Sequence, residues 1–185
     1  LQDGALRINR ASLSNPELTA EVTGQADGTR QVLDLKAQLA NLGLLLPDFP
    51  GPLTLTGFYE RDQISNPGAG TYLGTTKKDW MLLGAYDFGV VKPFVSYGQA
   101  KADNSLNKAK TVQLGASVPV GPSGKVLVEW VKTDLSQTKV DRKTYTVGYD
   151  HFLSKRTDVY AMFMGDKITN QTSGTSFGVG IRHRF

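Results

Sequence analysis

The sequence predicts an all-β chain, an antiparallel meander that forms part of a transmembrane β-barrel, on three observations. Seven runs of alternating apolar and polar residues follow one another from residue 79 onward. Each is about 10 or 11 residues, the length a tilted strand needs to cross a bilayer and about twice that of an average soluble strand. The connections alternate too: 87–89, 121–124 and 153–156 are tight, whereas 101–109, 135–141 and 167–174 are longer and polar. Short turns at one rim and long loops at the other are the layout of an outer-membrane barrel.

The bulk properties fit this fold class and exclude others. Among 185 residues, with a mean hydropathy of −0.26, no stretch approaches the roughly 20 consecutive apolar residues of a spanning helix. Any crossing is therefore made by strands. The net charge of +4 is uneven: residues 1–58 hold four Lys/Arg and six Asp/Glu, and residues 59–185 hold seventeen and eleven. There is no cysteine, which excludes disulfide scaffolds, thiol catalysis and Cys-ligated metals. The sequence starts at Leu1 without Met or an apolar leader and is expected to be a mature or truncated chain.

Taken in order, a Pro-rich break falls at 46–52 and a partial strand is expected at 53–60. The seven long runs then fall at 79–88, 90–100, 110–120, 125–134, 142–152, 156–166 and 175–185. In 111–120, Val112, Leu114, Ala116, Val118 and Val120 share a face opposite Thr111, Gln113, Gly115 and Ser117. In 142–152, Tyr145, Val147, Tyr149 and His151 oppose Thr144, Thr146, Gly148 and Asp150. The last run alternates Phe177, Val179, Ile181, His183 and Phe185 with Ser176, Gly178, Gly180, Arg182 and Arg184. Two runs leave their faces open, because Leu127 and Val131 accompany Lys125 and Glu129, and Met162 and Met164 accompany Tyr160. A face rich in Gly, Ser, Thr and charge suits a water-filled lumen, whereas a soluble lipocalin-like barrel fills its interior with large apolar side chains.

If the runs alternate in direction, Phe88, His151, Phe152, His183 and Phe185 collect at one rim, and Tyr97, Trp130 and Tyr145 lie nearer the other. These are two aromatic girdles around an apolar band, with Phe185 an interface anchor. The alternative is that the aromatics are core residues of a soluble β-sandwich.

"Y-D-F-G-V-V-K-P-F", "H-F-L-S-K-R-T-D-V-Y-A" and the ending "G-V-G-I-R-H-R-F" resemble the C-terminal part of general diffusion porins of β-proteobacteria over residues 58–185. The resemblance implies a barrel of a 16-stranded, homotrimeric porin whose terminal strand, here Phe177, Val179, Ile181 and Phe185, is the address read by the outer-membrane assembly machinery. It departs from the family in offering only these strands and no segment for a constriction loop. Residues 1–57, with "A-L-R-I-N-R-A-S-L-S-N-P-E-L-T-A-E-V-T-G" and "L-D-L-K-A-Q-L-A-N-L-G-L-L-L-P-D-F-P-G", are instead similar to a repeat of AsmA/TamB-type proteins, which implies strands at 5–13, 18–23 and 32–39; the alternative is an unfamiliar set of β-hairpins, and a two-segment chain, 1–57 and 58–185, a chimera or a fragment, is expected.

No nucleophile with a base and no metal-ligand spacing is found, so neither an enzyme nor a cofactor is expected. The two histidines, His151 and His183, sit at strand ends on the apolar face. The lysines are spread over loops rather than clustered on one element, which argues against nucleic acid. The expected function is passive diffusion of small hydrophilic solutes and ions through the outer membrane, with membrane lipid and the assembly machinery as partners. Pore-lining candidates are Lys92, Asp87, Asp150, Arg182 and Arg184, with Lys77, Lys78, Lys108 and Lys110 in or beside the outer loops. Two other readings are a periplasmic lipid-transport or barrel-assembly protein of the AsmA/TamB kind and a soluble β-sandwich binding module.

Overall fold

Each expected run becomes a strand, and most lengthen at the expense of the connections. The computed structural model describes residues 5–42, 51–63, 74–103 and 108–184. They form β1 (Leu6–Ser14), β2 (Leu18–Ala26), β3 (Arg30–Leu39), β4 (Leu53–Gln63), β5 (Thr76–Tyr86), β6 (Lys92–Ala102), β7 (Lys108–Val120), β8 (Gly124–Leu135), β9 (Val140–Phe152), β10 (Thr157–Ile168) and β11 (Gly174–His183). All eleven lie in one sheet in chain order, every neighbouring pair antiparallel. Pairing satisfies backbone groups that an apolar solvent could not, so the ladder extends into polar stretches that read as loops. The connections 103–107, 136–139 and 169–173 consequently end up little longer than 87–91, 121–123 and 153–156, and the two longest connections, 40–52 and 64–75, lie at opposite rims, so the expected contrast in loop length is not observed.

The sheet continues across residue 57 without a break. β3 pairs with β4 from Arg30↔Asp62 to Leu39↔Leu53, and Gly57 stands between Leu35 and Leu82. What reads as a partial strand at 53–60 is a full rung. In β1 the register shifts between Ile8 and Ala11, a bulge that leaves Arg7 and Arg10 on one face despite their odd spacing. Among the described residues β1 and β11 are each paired on one side only.

No hydrophobic side chain among the described residues is buried; the buried ones are Thr75, Thr76, Ser96, Asp150 and Asp158. This inverts a water-soluble fold and removes the β-sandwich alternative, which needs two sheets pressed together over an apolar core. Phe177, Val179 and Ile181 are 73%, 68% and 67% exposed on the outer side, while Gly178 and Gly180 between them are partly covered. The strands are also staggered. One cross-strand row begins at Leu13 near the end of β1, passes through Leu55, Leu114 and Tyr145, and arrives at Thr175 near the start of β11. Such a progressive shift is the shear of tilted barrel strands.

Candidate functional site

The inner face is a polar surface whose side chains bond to one another across strands. Ser96 of β6, 1% exposed, donates to Gln113 of β7, and the Gln113 amide donates to Glu129 of β8. Thr111 and Thr133 hydroxyls meet at 3.0 Å. Farther along, Arg142 Nη2 pairs with Asp166 Oδ2 at 2.9 Å, and Arg30 Nη2 with Glu60 Oε1 at 2.9 Å. Between these polar rows runs an apolar strip of Phe94, Leu127, Tyr160 and Met162, so the two runs whose faces the sequence left open turn their mixed faces inward. Phe94, Leu127, Tyr160, Met162 and Arg182 border an open concavity of about 840 Å³. The rings of Phe94 and Tyr160 lie over the cross-strand glycines Gly115 and Gly180, where an added Cβ would come within 2.3 Å and 2.5 Å of them.

At the rim reached by the 87–91, 121–123 and 153–156 turns, charges concentrate. Arg182 of β11 stands directly opposite Asp158 of β10. Its Nη2 lies 2.9 Å from Asp158 Oδ2 and 3.1 Å from Asp150 Oδ2, so one guanidinium bridges two carboxylates on successive strands. Lys125 Nζ reaches Asp150 at 3.5 Å, and Arg184 reaches Asp158 at 3.7 Å. Asp150 and Asp158 are buried because these long side chains cover them. Asp158 escaped the sequence reading because its partners lie on other strands.

The pore-lining candidates separate accordingly. Asp150 and Arg182 are brought together on the inner face, Arg184 follows β11 beside them, and Lys92 opens β6 on the same face, opposite Ser117. Asp87 does not line the wall: it sits in the 87–91 turn, where its carboxylate accepts the Gly89 N–H at 2.8 Å, with Gly89 at φ +81°. Lys77, Lys78, Lys108 and Lys110 are strand residues rather than loop residues. Only Lys77 points inward, with Asp62 opposite, while the other three share the outer face. Across all strands the inner face carries as many Asp and Glu as Lys and Arg, so the positive excess of the chain does not line the concave side.

A greasy outside, a hydrogen-bonded and charge-balanced inside and a staggered meander describe the wall of an aqueous channel. Residues 10–171 match the family model for Gram-negative porins. The chain belongs to the Gram-negative porin family. Membership places it in the outer membrane. An outer membrane porin protein of Bordetella pertussis is 30% identical over 167 residues, covering 73% of this chain and 43% of the relative. Outer membrane porin protein 32 of Delftia acidovorans is 34% identical over 134 residues, covering 60% and 38%. The chain thus spans less than half the length of these curated relatives. Among solved structures, an anion-selective porin from Comamonas acidovorans superposes with a TM-score of 0.67 at 23% identity, over 95% of this chain and 58% of that one. The trimer form of OmpT of Vibrio cholerae gives 0.65 at 15% identity, over 94% and 63%. These likenesses speak for the fold.

The outer face of this porin wall carries aromatic side chains toward both rims. Tyr97, Trp130 and Tyr145 lie on it toward the rim of the 103–107 and 136–139 connections, together with Tyr59 and Trp80, which stand opposite each other. Trp80 meets Tyr97 edge-on at 5.6 Å. At the other rim, Phe88 packs edge-on against Tyr86 at 4.4 Å, and His183 Nδ1 lies 2.8 Å from the Thr157 hydroxyl. Phe152 departs from the expectation. It pairs with Asp158 and faces inward, with Lys125 Nζ 5.1 Å from its ring, because His151 already takes the outer position and consecutive strand residues alternate. Phe185 lies outside the described residues.

Proposed function

We propose that the chain supplies part of the wall of an outer-membrane pore through which small hydrophilic solutes and ions diffuse passively. The observation that carries this reading is the reversal of polarity: every buried side chain among the described residues is polar, and the exposed band is apolar. Planar-bilayer recording of the refolded chain is the test; ohmic conductance steps support the reading, and an electrically silent, membrane-inserted chain overturns it.

Selectivity on this reading arises at Lys92, Arg182 and Arg184. A similar solved structure is described as an anion-selective porin, and exposed cations at a mouth lower the barrier to anions. Arg182 is largely neutralised by Asp150 and Asp158, which leaves Lys92 and Arg184 as the less compensated charges. Removing charge at any of the three moves preference toward cations; unchanged reversal potentials across a salt gradient exclude them. The trimer form of one structural neighbour supports a homotrimer. The exposed Phe177, Val179 and Ile181 face supports contact with lipid and recognition of the last strand by assembly machinery.

Residues 1–57, with their AsmA/TamB likeness, favour a second reading, a periplasmic groove that carries lipid, because the outer face of β1–β3 lacks an aromatic girdle. The unbroken pairing of β3 with β4 and the family match from residue 10 favour reading the same strands as wall. Protease protection of β1–β3 in sealed vesicles separates the two.

A further inference from the structure

A wall that borders water is expected to be polar on its inner face, and across β8–β10 that polarity is interrupted. Leu127 of β8 and Met162 of β10 stand on either side of Gly148 of β9 in one cross-strand row. Both side chains are exposed on the concave side. Met162 leans away from Leu127: its Cγ and Sδ lie 3.4 Å and 3.9 Å from the place a Cβ on Gly178 of β11 would take. Gly148 has no side chain to fill the interval, so a slot stays open above it.

The width of the slot follows from its walls. A carbon placed where a Cβ of Gly148 would stand lies 3.9 Å from Leu127 Cδ1, 3.9 Å from Met162 Cβ and 3.6 Å from the Ala161 carbonyl oxygen. Dispersion between two carbons is strongest at about 3.5–4.0 Å. One layer of carbon therefore touches both walls. A saturated ring is thicker than that, and a linear acyl chain fills only one line of the slot. A flat aromatic ring standing on edge fills it in both directions, with the thioether side chain of Met162 against one face.

The two ends of the slot differ in charge. Two residues along β9 on the same face is Asp150, whose Oδ2 lies 3.5 Å from Lys125 Nζ and 3.1 Å from Arg182 Nη2, while Arg182 also holds Asp158 at 2.9 Å. These charges balance in number but not in exposure. The Lys125 and Arg182 side chains are 32% and 47% exposed, and the carboxylates they cover 7% and 1%. A solute over Gly148 thus meets the cations. In the other direction it meets Thr146, opposite which Glu129 accepts the Gln113 amide. An anionic group is therefore favoured at the Lys125 end only.

We propose that this slot binds aromatic carboxylates, with the ring on edge between Leu127 and Met162 and the carboxylate toward Lys125 and Arg182. The proposal names a solute class for the diffusion pore and rests on the reading of the sheet as its wall. It is distinct from a preference for anions, which acts on every carboxylate alike.

The test is block of single-channel chloride current through the parent chain in planar bilayers. Benzoate is compared with cyclohexanecarboxylate, which keeps the charge and the carbon skeleton but is thicker, and with benzyl alcohol, which keeps the ring without the charge. The half-blocking concentration of benzoate is expected to lie about tenfold below that of cyclohexanecarboxylate, the scale of burying about 60 Å² of apolar surface, and severalfold below that of benzyl alcohol. Gly148→Ala fills the slot at ordinary contact distances and is expected to bring benzoate to the level of cyclohexanecarboxylate. Gly84→Ala adds the same methyl group on the outer face, where it meets only Leu55 Cδ2 at 3.6 Å, and is expected to keep the parent preference. If Gly148→Ala does not insert, Leu127→Ser with Met162→Ser removes both walls and is expected to give the same loss. Equal block by benzoate and cyclohexanecarboxylate in the parent overturns the proposal, as does an unchanged preference once the slot is filled or its walls removed. Equal block by benzyl alcohol overturns the carboxylate end, and loss of the preference in Gly84→Ala overturns the assignment to this slot. A conducting parent without the preference sinks the slot alone; a parent that inserts and stays electrically silent sinks the wall reading and the slot with it.

Discussion

In β1–β3 the outer face is built from small and aliphatic side chains, from Leu6 and Ile8 through Val22 to Leu33 and Leu35, with no aromatic and no charge. In β4–β11 the same face carries Tyr59, Trp80, Tyr97, Trp130 and Tyr145 and, beyond them, basic residues. The inner faces differ as well. Arg10 pairs with Glu21 where both side chains are open to solvent, whereas Arg182 bridges the buried Asp150 and Asp158. Yet the ladder runs through both regions with only one bulge. Joining a sheet thus requires alternation and backbone pairing; the outer aromatics and placed charges are a separate layer that the ladder does not need. Segments of unlike composition can share one wall.

Four measurements break or sharpen this contrast. The largest effect is expected from a charge at mid-height on the outer face. Leu35→Lys in β3 and Val147→Lys in β9 should each cost about 2–4 kcal/mol in lipid vesicles if both regions face acyl chains. A Leu35→Lys chain as stable as the parent would confine the membrane wall to the later strands. Next comes Arg182→Ala, which strands two carboxylates and should cost about 1–3 kcal/mol, moderated because Lys125 and Arg184 remain; the matching Arg10→Ala should cost no more than about 0–1 kcal/mol. Urea midpoints in detergent compare them, and equal losses would erase the difference between the two inner faces.

Removing an anchor should have a smaller effect. Trp80→Ala forfeits the edge-on contact with Tyr97, about 0.5–1.5 kcal/mol beyond the area lost, and should shift the emission of Trp130 only if the girdle acts as a unit. The smallest effect concerns the turn between β2 and β3. There Asp27 accepts the Arg30 and Thr29 N–H groups at 2.6 Å and 2.8 Å, which hold its carboxyl below the ordinary aspartate value. A lowered folded pKa means the contribution is present above the ordinary value of 3.8 and is lost as pH falls through the folded one. Parent and Asp27→Ala should therefore differ slightly at about pH 6 and converge as pH falls through the lowered folded value; a constant difference would assign the effect to packing.

Much of this wall is legible in the residues. The period of two located β5–β11 and the polarity of β7, β9 and β11. The turn chemistry of Asp87 and Gly89 was legible as a turn, although Asp87 itself read as a wall charge. What one strand at a time conceals is relation. The Arg182–Asp158 bridge joins β10 to β11, and Phe152 faces inward because His151 takes the outer position. Summed along the chain the basic excess of residues 59–185 has no address; sorted by face it belongs to the outside. The spacing that reveals this, an aromatic and a cation two apart in "Y-E-R", "K-D-W", "W-V-K" and "K-T-Y", was in plain view.

Phe94 over Gly115 and Tyr160 over Gly180 show how such a conduit sets its calibre. A ring that rests in the recess left by a missing side chain contributes area to the wall without narrowing the passage. Filling the recess at Gly180 would tilt the Tyr160 ring toward the axis and turn a lining group into an obstruction, whereas at Gly115 an added methyl would also meet the Val128 carbonyl oxygen and disturb the ladder itself. The bore can therefore be adjusted by a single methyl group, with the number of strands, their stagger and the surface facing the membrane all left as they are.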